Sequence, residues 1–70
     1  MIPLDLADIG KENVIKKVGG SPDVKKHLED LGFTAGGPVT AVSAMGGNVI
    51  VKVKESRIAI SREMARRIMI

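Results

Sequence analysis

No charged side chain occurs in residues 31–51, a run as long as the ~20 residues that cross a bilayer as a helix. Its punctuation argues against that outcome. Gly32, Gly36, Gly37, Pro38, Gly46 and Gly47 interrupt it, and Thr34, Thr40, Ser43 and Asn48 dilute it. Residues of this kind end helices and shape turns, and the apolar pieces between them are short and rich in β-branched side chains. The run is expected to be strand and loop in a soluble sheet, its missing charge marking a covered surface.

The flanking sequence supplies the rest of such a sheet. Residues 39–45 read as one strand, and Gly46-Gly47-Asn48 as a hairpin connection. Residues 49–54 then alternate, with Val49, Val51 and Val53 on one side and Lys52 and Lys54 on the other. Glu55-Ser56 turns the chain into a strand over 57–60, with Ile58 and Ile60 facing inward. Ser61 caps a helical turn reaching about Arg66, and residues 68–70 close the chain as a last short strand. Upstream, residues 5–10 form a turn-like lead-in. Residues 14–18 read as the first strand, closed by Gly19-Gly20. Ile15 and Val18 are three apart, so both face inward only through a bulge or a sharp twist.

Between that strand and the uncharged run, Ser21-Pro22-Asp23 opens a helix. Ser21 caps the free N–H groups, Pro22 suits the first helical position and Asp23 complements the positive end of the dipole. Val24, Leu28 and Leu31 make one apolar stripe, and Gly32 stands where a left-handed cap ends helices. The helix is expected from about Pro22 to Leu31. The chain is therefore mainly β with one helix: about five short strands in a small, partly open barrel, with the helix inserted after the first long strand.

Composition narrows the function classes. Seventy residues make one domain, 1–70, and the 44% hydrophobic content includes a single aromatic, Phe33. The core must be built from Val, Ile, Leu and Ala. There is no Cys, which excludes disulfide scaffolds, thiolate metal sites and Cys nucleophiles. Charged residues make up 27% and mean hydropathy is +0.14, too apolar for disorder. The N-terminus lacks the basic-then-apolar order of a signal peptide, so a cytoplasmic protein is expected.

The segment Leu28-Glu29-Asp30-Leu31-Gly32-Phe33-Thr34-Ala35-Gly36-Gly37-Pro38-Val39, followed by Ile58-Ala59-Ile60 and Ala65-Arg66-Arg67-Ile68, resembles the FeoA family of ferrous iron uptake proteins. Leu6-Ala7-Asp8-Ile9-Gly10 and Ile15-Lys16-Lys17-Val18-Gly19 fit the same pattern in spacing, so the likeness spans nearly the whole chain. It implies an SH3-like β-barrel and a non-enzymatic accessory role in ferrous iron transport. The implied partner is the FeoB-type membrane permease with its GTPase domain, which would hold the protein at the inner membrane. Leu28, Leu31, Gly32, Gly36, Ala65 and Ile68 are the motif positions, and each has a mechanical explanation in packing or backbone conformation. One departure is visible: many members carry Arg after the apolar-Ala-apolar strand, whereas Ser61 stands here with Arg62 next. SH3-like domains of similar sequence also end iron-dependent repressors, which implies metal sensing as the alternative role.

Individual residues offer three candidate sites. Asp23, His27 and Asp30 share a helix face at spacings of four and three. Imidazole and carboxylate suit Fe(II) or another divalent transition metal, although a lone exposed His among acids is more often simply solvated. The basic pairs Lys16-Lys17, Lys25-Lys26 and Arg66-Arg67 sit in a chain of net charge +3. Without Trp or Tyr to stack bases, they read as a solvated face or one drawn to an acidic partner, and no nucleic acid is expected. Finally, Val42, Ala44 and Ile50 fall opposite the inward residues of their strands. They are expected to form an apolar face for a protein partner or a second copy, unless strand curvature tucks Val42 and Ile50 under a loop. No phosphate-cradling loop or nucleophilic triad is apparent, and the chain is not expected to be an enzyme.

Overall fold

Ile15 is where the sheet turns a corner. In a computed structural model describing all residues from Met1 to Ile70, the expected first strand divides into β1 (Glu12–Val14) and β2 (Lys17–Val18), which join different sheets. The hydrogen bonds show why. Ile15 donates to the Gly37 carbonyl at 2.9 Å and accepts from the Gly36 N–H at 2.7 Å, and the next amide, Lys16, donates to Met69 at 2.8 Å. The chain thus leaves one sheet and enters the other within two residues. This sharp turn lets Ile15 and Val18 both lie buried, as their spacing required.

After β2 comes α1 (Pro22–Asp30), then β3 (Pro38–Met45), β4 (Asn48–Val53), β5 (Ser56–Ser61), the single-turn α2 (Arg62–Ala65) and β6 (Ile68–Met69). A 3₁₀ turn, Leu4–Leu6, precedes β1. Four strands form an antiparallel sheet in the order β1-β3-β4-β5, and β2 pairs with β6 in a second. Pro3 bridges Met69, and Ile2 and Ile70 exchange two backbone bonds at 2.9 and 2.8 Å. The two chain ends therefore extend the smaller sheet together. The expected five-stranded barrel is realised as six strands in two sheets, because the first strand is shared between them. The architecture remains mainly β with one substantial helix.

Helix α1 is bounded as its sequence dictates. The Ser21 hydroxyl accepts from the Val24 N–H, and Pro22 occupies the first turn. At the other end, Leu31 is the cap and Gly32 adopts φ +109°. The Phe33 N–H donates to Leu28 and the Gly32 N–H to Glu29, the paired bonds of a Schellman motif. That termination delivers Phe33, the sole aromatic, into the core beside Leu28, both with no exposed surface. Full burial of side chains this size contributes about 1.5–3 kcal/mol each. The rest of the core is aliphatic, with Val39, Ala41, Val49, Val51, Val53 and Ile60 from the larger sheet meeting Val18, Ala65, Ile68 and Ile70.

Candidate functional site

The larger sheet has one face on this core and one outside, and a bulge decides which residues occupy the outer face. Ala41 pairs with Val51 but Ser43, not Val42, pairs with Ile50, so Val42 is an inserted residue in β3. Beyond it the alternation of β3 reverses. Ser43 shares the outer face with Ile50, whereas Ala44 lies opposite the buried Val49 on the inner face. The expected trio therefore divides. Val42 and Ile50, both half-buried, sit together at the bulge, while the exposed Ala44 lies at the open end of the core side. A further apolar neighbour, not among the expected residues although the alternation of Ile58 and Ile60 turns it outward, is Ala59, which pairs with Ile50 from β5 and is exposed. Lys52 and Arg57 pair on the same outer face, giving the apolar group a cationic border.

Asp23, His27 and Asp30 are all exposed on α1. No group of three or more His, Asp or Glu side chains is placed to hold a metal ion. The motif residues fill mechanical positions. Leu28, Ala65 and Ile68 have no exposed surface, Leu31 is half-buried, and Gly32 and Gly36 hold φ of +109° and +88°. An alanine at Gly32 would set its Cβ 3.5 Å from Val53 Cγ2. There is thus room for the atom, and the backbone angle alone requires glycine.

Two features were not anticipated. Asp5 Oδ2 accepts from Arg66 Nε at 3.1 Å, with the Asp5 side chain only 8% exposed. This contact links the 3₁₀ turn to α2, sixty-one residues away, a separation at which sequence gives no signal. Second, β2 and α1 border a cleft of about 210 Å³ lined by Lys16, Lys17, Val18, Lys25, Glu29 and Ala35. The doublets Lys16-Lys17 and Lys25-Lys26 were the visible trace of it, but only the fold shows that one member of the second doublet faces the first.

A mainly-β fold of this kind, with its two chain ends paired in the smaller sheet, has SH3-like architecture. The sequence model of the FeoA domain matches residues 2–70, and the chain belongs to the FeoA family. A Methanocaldococcus jannaschii protein, provisionally named Fe(2+) transport protein A, is 33% identical over 70 residues, covering 100% of this chain and 85% of its own. The zinc-complexed FeoA of Stenotrophomonas maltophilia, described as a prokaryotic SH3 domain protein, superposes with a TM-score of 0.85 at 23% identity. That alignment covers 99% of this chain and 88% of the other. A manganese-dependent transcriptional repressor shares the fold at TM-score 0.85 and 12% identity, over 94% of this chain and 38% of its own.

Proposed function

We propose that this protein is a non-enzymatic accessory of ferrous iron transport that acts in the cytoplasm by contacting the GTPase-bearing cytoplasmic part of a FeoB-type permease. The observation that carries this reading is the family match over residues 2–70. It is supported by an outer sheet face on which Val42, Ile50 and Ala59 are apolar and incompletely covered, a composition that suits protein contact. No helix is long and apolar enough to cross a membrane, so on this reading the protein reaches the bilayer through its partner.

A pull-down from native membrane extract with this protein as bait is expected to recover a polytopic transporter bearing a GTPase domain. Chemical-shift mapping with that transporter's cytoplasmic domain is expected to move Val42, Ile50 and Ala59, with Ala44 less affected. Binding that leaves all four unperturbed removes the sheet face from the proposal, and failure to recover any such transporter removes the partner.

Metal sensing is the second reading, favoured by the fold shared with a manganese-dependent repressor. It requires Asp23, His27 and Asp30 to gather around Fe(II) or Zn(II). Calorimetric titration of wild type and His27→Ala separates the readings: a heat lost in the variant supports a metal role, and identical isotherms end it.

A further inference from the structure

The cleft between β2 and α1 gathers positive charge that the fold leaves unneutralised. Lys16 and Lys17 rise from the strand side and Lys25 from the helix side, all exposed. The ion pairs of the protein are Arg66–Asp5 and Arg67–Glu63, so none of the three ammonium groups is paired. Glu29 also lines the cleft, one turn after Lys25, but comes within ion-pair distance of no cation. Lys preceding Glu at this spacing is the weaker order of such a pair on a helix. Three cations against one carboxylate leave the cleft net positive.

Its shape and lining select among anions. About 210 Å³ is below the ~300 Å³ where pockets for whole cofactors begin. Phe33 is fully buried and Trp and Tyr are absent, so no aromatic ring is available to stack a base. Val18 and Ala35 are apolar parts of the lining, and the lysine stems add methylene surface. An acidic side chain matches this combination, with methylenes against Val18 and Ala35 and a carboxylate among the ammonium groups. We propose that this cleft is a docking site for an acidic peptide segment of a protein partner. It lies on different elements from the sheet face discussed above. The inference names the chemistry of a contact within the accessory reading, but its test uses no permease, so either can fail alone.

The full-length protein, isotopically labelled, is titrated with hexaglutamate peptide, with inorganic phosphate and with a short single-stranded oligonucleotide. Hexaglutamate is expected to shift the amides of residues 16–18, 25–29 and 35, and to bind at least about five-fold more weakly when ~0.5 M salt shortens the screening length. The double variant Lys17→Glu/Lys25→Glu is expected to lose about ten-fold in peptide affinity, equivalent to ~1.4 kcal/mol. Lys11→Glu/Lys26→Glu changes net charge equally at exposed positions outside the cleft lining, and is expected to stay within about two-fold. Thermal midpoints near wild type would show both variants folded. The proposal is overturned if the shifts map elsewhere, if both double variants weaken binding equally, or if phosphate or oligonucleotide binds more tightly than the peptide.

Discussion

Strand β4 finds both of its partners next door in the chain, whereas β2 finds its partner at the far end. Two-residue turns, Gly46-Gly47 and Lys54-Glu55, fold β3, β4 and β5 onto one another. The smaller sheet instead pairs Val18 with Ile68 and bridges Pro3 to Met69. The two regions bury the same kinds of side chain, Ile60 at 6% exposure and Ile68 at 0%. They differ in how much chain entropy must be lost before the contact forms, since closing a long loop costs more than closing a turn. The difference teaches that equal burial does not mean equal place in folding: the hairpins are expected to assemble locally, and the clasp of the ends to complete the core.

The comparison breaks most directly on Ile60→Ala and Ile68→Ala. Each removes a buried isoleucine and is expected to cost about 2–5 kcal/mol in denaturant unfolding. The kinetics should separate them. Ile60→Ala is expected to slow folding, as it should if its hairpin forms early, while Ile68→Ala mainly accelerates unfolding. Stopped-flow measurement of both limbs decides the matter, and the reverse partition would make the end-to-end clasp the nucleus.

The same contrast explains what could be read from the amino acids alone. Helix α1 was legible because Ser21, Pro22 and Gly32 mark its ends and Leu28 its buried face, all local signals. The β3–β4–β5 hairpins were legible from Gly46-Gly47 and the alternation of Val49, Val51 and Val53. The division of residues 14–18 was not, since it depends on Gly36, Gly37 and Met69 capturing the amides and carbonyl around Ile15. Nor was the bulge at Val42, which reversed the side assigned to Ala44: no residue there is a glycine or proline that would announce it. The candidate surfaces share this limit. The lysine doublets could be seen, but their convergence across β2 and α1 is a product of the fold.

A smaller effect is expected from Arg66→Ala, which opens the clasp without touching the core. The Asp5 carboxylate is nearly buried, and Oδ1 has no partner even with Arg66 in place. Losing the Nε–Oδ2 bond leaves the whole group uncompensated. Arg66 itself is 63% exposed, so solvent screening limits the loss to about 1 kcal/mol. Amide exchange should sharpen the comparison: protection is expected to fall at Ile2, Lys16 and Ile70 and to hold in β4. A uniform fall would mean that the two sheets open as one unit.

The smallest effect concerns the turn on which the local region depends. Lys54 sits at φ 56°, the one non-glycine residue with positive φ, and occupies the first position of the β4–β5 turn. The equivalent position of the β3–β4 turn is Gly46 at φ 60°. The left-handed conformation costs an L-residue about 1–2 kcal/mol, and a glycine there forfeits about 0.5–1 kcal/mol through its freer unfolded chain. Lys54→Gly is therefore expected to stabilise the protein by no more than about 1.5 kcal/mol, read as a small rise in denaturant midpoint at constant slope. Because the gain arises in a hairpin proposed to form early, it should appear in the folding rate rather than the unfolding rate. A gain confined to the unfolding limb would place the β4–β5 turn, like the clasp of the chain ends, after the transition state.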